Sequence, residues 1–156
     1  MYKKKFLLNK KVFHNFYIIK TFNAGMSLKG WEIKSIRSKN INISNSYISI
    51  IKKNIYLTNY NINLLNNNLN IKNVEKNRNI QLLLKKKEII YLSNEIFAKN
   101  ITIVPICLFW KNFLCKIKIG LAKGIKKYDK RNIKKAQEWK VEKLRLIKKS
   151  KRDIIF

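Results

Sequence analysis

The sequence predicts a mainly β protein, built as a small antiparallel barrel with two or three short helices and a C-terminal tail. Short runs dense in β-branched and aromatic residues indicate strands, one late run alternates between apolar and basic residues, and the character of the chain changes after Gly124. A chain of 156 residues has room for one domain and an appendage. We therefore expect a barrel over residues 1–129 and a tail over residues 130–156.

The first strands are predicted from residue type and turn signals. Residues 15–22 are rich in β-branched and aromatic side chains, and Asn23-Ala24-Gly25 is predicted to end that strand. Residues 47–51 and 55–58 flank a turn signal at residues 52–54. This pattern predicts a β-hairpin.

The clearest pair of strands covers residues 101–110 and 113–121. In the second run, apolar residues from Phe113 to Leu121 alternate with lysines, which predicts one buried face and one cationic face. Pro105 lies inside the first run, so an edge or bulged strand is expected there, because proline donates no ladder hydrogen bond. Short antiparallel strands with interspersed helices favour an oligonucleotide-binding (OB) type of barrel.

Helical spacing predicts two helices in the body. Over residues 28–38 the spacing leaves Glu32, Lys34 and Arg37 largely outside the packed face. The apolar side chains of residues 85–99 also follow helical spacing, and this helix is expected to cap a sheet.

Two segments have weaker signals. Asparagine dominates residues 61–79, which predicts a long polar loop. Residues 130–149 favour helix but carry a weak apolar stripe. We expect this tail to be disordered alone and helical on a partner, because ordering it requires new contacts.

The charge balance indicates a polyanionic partner. Lys and Arg number 36 against 8 Asp and Glu, for a net charge of +28. Nucleic acid is a commoner source of counter-charge than an anionic membrane, although AT-rich coding is an alternative origin for part of the lysine content. The longest nearly apolar run, residues 101–110, is well short of the ~20 residues of a membrane-spanning helix. No membrane association is expected.

Catalytic and metal-binding groupings are missing from the sequence pattern. The eight acids are scattered without a pair suited to two-metal chemistry. Cys107, Cys115 and His14 cannot complete a four-ligand zinc site, so the cysteines are expected to be reduced, buried and structural. No Gly-rich phosphate loop is present. We expect a protein that is not an enzyme and uses no metal or cofactor.

Several polar residues are candidates for RNA contacts. A carboxylate at Glu32 suits base amino groups or a 2′-hydroxyl while Lys34 and Arg37 hold phosphates, and an ordinary surface salt bridge is the alternative. His14 suits a phosphate or base-stacking contact, or else lies on the surface. Tyr128 suits stacking on a base, or else closes a turn. Lys116, Lys118 and Lys123 are predicted to form a cationic strip that tracks a nucleic-acid backbone, or else a solvated face.

Colinear motifs along almost the whole chain resemble the SmpB family, the SsrA-binding proteins of bacterial trans-translation. In chain order they are Leu8-Asn9-Lys10-Lys11 with His14, Ala24-Gly25 with Leu28 and Gly30–Arg37, Asn42–Tyr47, Leu82–Leu84 with Glu88-Ile89, Thr102–Pro105, Gly124 to Asp129-Lys130-Arg131, and Glu138–Ile147.

The resemblance implies an OB-type barrel that binds the tRNA-like domain of tmRNA (SsrA RNA). It also implies a tail that enters the empty mRNA channel of a stalled ribosome, beside 16S rRNA, as a helix. Delivery would involve alanyl-tmRNA with elongation factor Tu. A cytoplasmic, ribosome-associated monomer is expected.

The resemblance also assigns residues. The implied RNA surface matches Asn9, Glu32, Lys34, Arg37 and the lysines at 116, 118 and 123, to which Lys10, Lys11, His14 and Asn23 are added. Asn23 stands where the family usually has glutamate. The implied ribosome contacts are Tyr128, Asp129, Lys130, Arg131, Trp139, Leu146 and Ile147. The alternative is a structural ribosomal protein or assembly factor that binds rRNA.

Overall fold

The structure is a computed structural model. It describes residues 4–63, 78–99 and 101–126, together with residues 128, 131, 138, 139, 142, 143 and 145. The chain divides into two compact units, Met1–Gly124 and Ile125–Phe156. The predicted boundary between residues 129 and 130 stays a prediction, because both of these residues lie outside the described ranges.

The first unit contains nine strands and three helices within its described residues. In chain order they are β1 (Lys4–Leu8), α1 (Lys10–Asn15), β2 (Phe16–Met26), α2 (Gly30–Arg37), β3 (Ile41–Asn42), β4 (Tyr47–Ile51), β5 (Asn54–Thr58), β6 (Asn61–Ile62), β7 (Ile80–Leu83), α3 (Lys86–Lys99), β8 (Thr102–Lys111) and β9 (Leu114–Gly124).

Seven of the strands form one antiparallel sheet. Their order is β1-β8-β9-β2-β7-β5-β4, and β3 pairs with β6 apart from it. The sheet curls until β4 contacts β8, but no ladder joins β4 to β8 or β1 within the described strands. The predicted mainly β, antiparallel class is confirmed, and the barrel is a partly open one.

One apolar core fills the inside of the curl. Ile55, Ile117 and Ile119 are fully buried within it. From the helices, Ile36 of α2 and Leu92 of α3 enter the same core and are equally buried. Each such aliphatic side chain stabilises the fold by about 2 kcal/mol relative to exposure. The prediction that the second helix caps the sheet is confirmed.

The hairpin of β4 and β5 is confirmed, and its turn is unusual in composition. Ile51 pairs with Asn54, so Lys52 and Lys53 form a two-residue loop. Their φ angles are 47° and 64°, the left-handed region that such hairpin turns require at both central positions. Lysines thus occupy positions where Asn-Gly is usual.

The predicted end of the first strand is wrong. β2 continues through Asn23, Ala24 and Gly25 because neighbouring strands bond to it there: Asn23 pairs with Lys118, and Gly25 pairs with both Lys116 and Leu83. Tertiary pairing overrides the turn preference of Asn-Ala-Gly.

Pro105 lies at a bulge, one of the two predicted alternatives. The register of β8 with β9 shifts between Pro105 and Cys107, so the missing N–H falls where the ladder is interrupted. The edge alternative is wrong, because β8 lies between β1 and β9. On its other side the pairing with β1 reaches only as far as Cys107, which is opposite Leu8.

Other local predictions fail where short elements form through distant pairing. The short strands β1, β3, β6 and β7 and the helix α1 were not predicted, and β6 occupies the start of the predicted loop. Residues 64–77 of that loop lie outside the described residues. Phe113 is 92% exposed with a φ of 62° because it sits in the β8–β9 turn, not on the buried face.

Candidate RNA interface

The ladder places several predicted RNA-binding residues on one side of the sheet, here called the outer face. Residues directly opposite each other in an antiparallel pair point to the same side. Asn23 is opposite Lys118, and Gly25 is opposite Lys116. The buried Ile117 and Ile119 alternate with these lysines, so the outer face lies away from the main core. The predicted alternation of β9 is confirmed for these residues.

Leu83 adds an apolar side chain to the outer face. It is opposite Gly25 on the β7 side, and a Cβ on Gly25 would lie 3.3 Å from the Leu83 Cβ. Leu83 is 56% exposed. An exposed leucine among cations suits contact with an unstacked base. Leu83 belongs to the Leu82–Leu84 motif, and a short leucine run does not by itself indicate which side chain faces solvent.

The helix α1 lies on the outer face and carries further cations. Its buried Val12 packs with Val104 and Ala122 in a cluster separate from the main core, and Ala122 has the same strand parity as Lys118. Lys10, Lys11 and His14 are exposed around it. Lys11 Nζ donates a hydrogen bond to Asn45 Oδ1 at 3.0 Å.

The outer face is closely packed where α1 meets the sheet. A Cβ at Gly120 would lie 2.8 Å from Ile106 Cδ1 and 3.1 Å from Ile18 Cγ2. A larger residue would therefore require the Ile106 side chain and Ile18 to shift, although the φ of Gly120 is ordinary for a strand.

Lys123 lies apart from the predicted strip. Because side chains alternate along β9, Lys123 lies on the same side as the inward-facing residues. It is opposite Tyr17, beyond the end of the core. A strip containing all three lysines is therefore wrong, because five or seven residues along a strand reverse the face on which the side chain lies.

Asn9 is buried, so its predicted contact with RNA cannot be direct. Its side chain is 1% exposed, and Nδ2 donates to the carbonyls of Ile43 at 3.0 Å and Pro105 at 3.2 Å. The amide ties the start of α1 to the bulge of β8. Any effect of Asn9 on RNA binding would pass through this tie.

Glu32 is also buried, and its predicted exposed position is wrong. It is 0% exposed, and its carboxylate pairs with Arg78, whose Nη2 lies 2.6 Å from Oε2. The helical spacing of residues 28–38 did not reveal this, because the cation that makes burial possible is 46 residues away in the predicted loop. Arg78 is a functional residue that no local sequence pattern indicates.

Tyr60 completes the polar cluster around Glu32. Burial, and secondarily the charge of the Glu32 carboxylate, raise the pKa of Tyr60 to about 12. The cluster is thus a buried carboxylate, a guanidinium that reaches solvent, and a buried phenol whose hydroxyl makes no hydrogen bond within the described part of the chain.

Lys34 and Arg37 are exposed on α2, as predicted. The Arg37 guanidinium lies 5.9 Å from the centroid of the Trp110 ring. Ile36 of the same helix enters the main core, so α2 lies on the inner side of the sheet. The two α2 cations and the outer-face cations are therefore separate groups.

Few of the predicted ribosome contacts lie in the described part of the chain. Tyr128, Arg131 and Trp139 have helical backbone and are exposed. Asp129, Lys130, Leu146 and Ile147 lie outside the described residues, and the predicted disorder of the free tail stays a prediction.

The other titratable groups in the described part of the chain form no second site. Among the described residues no cluster of His, Cys, Asp or Glu could hold a metal ion, and no helix is long and apolar enough to cross a membrane. Cys107 and Cys115 are buried, and burial raises the pKa of the Cys115 thiol to about 12.

A curled antiparallel sheet with grouped cations and an exposed leucine defines a small nucleic-acid-binding barrel protein. The comparison with known sequences narrows this class to one family. The model of the family described as SmpB protein matches residues 6–149, and the chain belongs to that family.

Relatives in two related bacteria are similar over nearly their full length. The SsrA-binding protein of Buchnera aphidicola subsp. Acyrthosiphon pisum (strain Tuc7) is 44% identical over 147 residues, which cover 94% of this chain and 91% of the relative. The SsrA-binding protein of Buchnera aphidicola subsp. Baizongia pistaciae (strain Bp) is 42% identical over 142 residues, covering 91% and 90%.

A solved structure agrees with the fold. It is described as "tmRNA-SmpB: a journey to the center of the bacterial ribosome", and it superposes with a TM-score of 0.63 at 31% sequence identity. The match covers 78% of this chain and 85% of that one.

Proposed function

We propose that this protein is an RNA-binding adaptor of ribosome rescue, which binds the tRNA-like domain of tmRNA and brings it to stalled ribosomes for trans-translation. The observation that carries the proposal is the outer face, where Asn23, Lys116 and Lys118 lie beside the exposed Leu83. Membership of the SmpB family and the 44% identity to an SsrA-binding protein support it.

The chemistry of the outer face suits a folded RNA. Lysine ammonium groups bind phosphates, which gives affinity and a strong dependence on salt. The amide of Asn23 offers both donors and an acceptor to a base edge or a 2′-hydroxyl, and Leu83 offers an apolar contact. Such a surface binds and orients an RNA without changing it, so the proposed role is not enzymatic.

The second unit serves the ribosome in this proposal. Tyr128, Arg131 and Trp139 would contact the stalled ribosome, including 16S rRNA, with the tail lying as a helix in the vacant mRNA channel. Alanyl-tmRNA bound to elongation factor Tu would be the complex that carries the protein there. The protein would act in the cytoplasm as a ribosome-associated monomer.

Competition binding tests the proposal. The full chain should bind the isolated tRNA-like domain of tmRNA at about 150 mM salt, and bulk tRNA in excess should displace it poorly. Equal displacement by tRNA, or by any polyanion, would contradict specific recognition.

Truncation after Arg131 separates the two units. It should leave the affinity for tmRNA nearly unchanged and abolish peptide tagging on stalled ribosomes. A ribosomal protein or assembly factor would instead remain at one copy per ribosome after a high-salt wash, which would reject the adaptor role.

A further inference from the structure

The ion pair of Glu32 with Arg78 lies where three short segments of the first unit meet. The Glu32 carboxylate oxygens accept hydrogen bonds from Arg78 Nε at 2.7 Å, from Arg78 Nη2 at 2.6 Å and from the backbone N–H of Lys29 at 2.6 Å. Arg78 Nη2 also donates to the carbonyl of Ser27 at 2.8 Å. The Glu32 carboxylate therefore ties the start of α2 to the segment that leads into β7, and Arg78 in turn ties that segment to the residue after β2.

Burial makes this junction sensitive to geometry. Glu32 has no exposed surface, and the side chain of Arg78 is 18% exposed. A carboxylate in such a place needs its charge partner and its hydrogen bonds, and the planar guanidinium offers two of them at fixed spacing. Apolar pairs of similar volume are often as stable as buried ion pairs, so stability alone does not account for this one. What the pair adds is a fixed placement of three segments.

Each of the three segments carries side chains of the proposed RNA surface. The helix that begins beside Lys29 presents Lys34 and Arg37. The strand that ends before Ser27 presents Asn23, and the strand that begins after Arg78 presents Leu83. The backbone N–H of Ser27 donates to the carbonyl of Gln81 at 3.0 Å, which links the two strands to each other. Glu32 links α2 to Arg78, which precedes β7, and Arg78 donates to the carbonyl of Ser27, which follows β2.

We propose that Glu32 and Arg78 are positioning residues for RNA binding, which hold Lys34 and Arg37 of α2 at a fixed place relative to Asn23 and Leu83 without touching the RNA themselves. The inference rests on the proposed function and deepens it. One folded RNA would reach from the outer face around this end of the sheet to α2, and only the intact pair keeps both groups of contacts in register with it.

A double-mutant cycle tests the inference, with the tRNA-like domain of tmRNA as the probe. In the wild-type background, Lys34→Ala/Arg37→Ala should lower the affinity about 10-fold or more and reduce the slope of log K against log salt by about 1 to 2, since each phosphate contact contributes roughly 0.7 to 0.9. In the Glu32→Gln background, the same two changes should have little further effect, because the α2 cations are already out of place.

The control cycle uses the outer-face lysines. Lys116→Ala/Lys118→Ala should lower the affinity by the same factor, and the salt slope by the same amount, in the wild-type and the Glu32→Gln backgrounds. Leu57→Ala serves as a stability control. It removes a buried apolar side chain, so it should lower the stability of the fold without affecting the ion pair. At a temperature where all variants are folded, it should leave affinity and slope unchanged.

Arg78→Lys keeps the positive charge but removes the planar guanidinium and its paired hydrogen bonds. It is the replacement test variant if Glu32→Gln fails to fold. It should reduce the salt slope as Glu32→Gln does. Full additivity of Lys34→Ala/Arg37→Ala with both Glu32→Gln and Arg78→Lys would overturn the inference and leave the proposed function intact. Failure of the wild-type protein to prefer the tmRNA probe would instead reject the proposed function.

Discussion

The outer face and the helix α2 hold their cations in different ways. Lys116 and Lys118 lie on β9, an eleven-residue strand bonded to β8 on one side and β2 on the other. Lys34 and Arg37 lie on an eight-residue helix whose start is fixed by the buried Glu32 and its partner Arg78. The strand cations are thus held by a distributed backbone ladder, whereas the helix cations are held by the buried Ile36 and by one ion pair at the start of the helix. A single substitution should therefore disturb the second group much more easily than the first.

The largest expected effect is loss of stability from Glu32→Ala. The change leaves the guanidinium of Arg78 without its carboxylate and frees the N–H of Lys29, so we expect a cost of about 3 kcal/mol, less than for a fully enclosed cation because Arg78 reaches solvent. Urea denaturation measures it. Lys118→Ala on the strand is the matched comparison and should cost less than about 0.5 kcal/mol. Similar costs for the two changes would remove the contrast between the regions.

The next largest expected effect is a loss of RNA affinity when the strand cations are removed. Lys116→Ala/Lys118→Ala should weaken binding to the tRNA-like domain by about 10-fold or more near 150 mM salt and reduce the salt slope by about 1 to 2. The control removes two lysines from the β4–β5 turn with Lys52→Asn/Lys53→Gly, residues that also suit the positive φ angles there. If the control weakens binding equally, total charge and not the outer face determines affinity.

The smallest expected effect is a pH dependence from Tyr60 beside Glu32. The folded pKa of about 12 exceeds the ordinary value of 10.0, so the folded protein holds the phenolic proton more tightly than the unfolded chain does. The stability from this group is complete below pH about 10 and is lost as the pH rises from 10 towards 12, by about 1 kcal/mol at pH 11.

Tyr60→Phe should remove that part of the alkaline loss, measured by urea denaturation between pH 8 and pH 11. Cys115→Ala is needed in both proteins, because the pKa of that buried thiol is also raised to about 12 and its proton is lost in an overlapping range. An unchanged pH profile in the Tyr60→Phe variant would show that the phenol is not enclosed by the Glu32 cluster.

Local periodicity predicted the elements that are long and amphipathic. Alternation over residues 113–121 oriented Lys116 and Lys118 correctly, because a strand bonded on both sides keeps a strict period of two. Helical spacing likewise located α2 and α3. The family resemblance, carried by motifs along most of the chain, anticipated the family that the comparison then identified.

Prediction failed where a distant residue decides the outcome. Nothing near Glu32 in the sequence indicates a partner 46 positions later, so the carboxylate was expected on the surface. Asn9 was misplaced for the same reason, since its acceptors are the carbonyls of Ile43 and Pro105. The continuation of β2 through Gly25 also depends on strands that arrive much later in the chain.

The sequence by itself determined the mainly β class, the basic character of the surface and the side of β9 on which its lysines lie, because charge and short-range period are properties of neighbouring residues. The tertiary structure alone decided that Glu32 and Asn9 are buried and that Leu83 lies beside Gly25 on the outer face. The physical reason is that a polar group leaves water only where partners satisfy it, and here those partners come from remote parts of the chain.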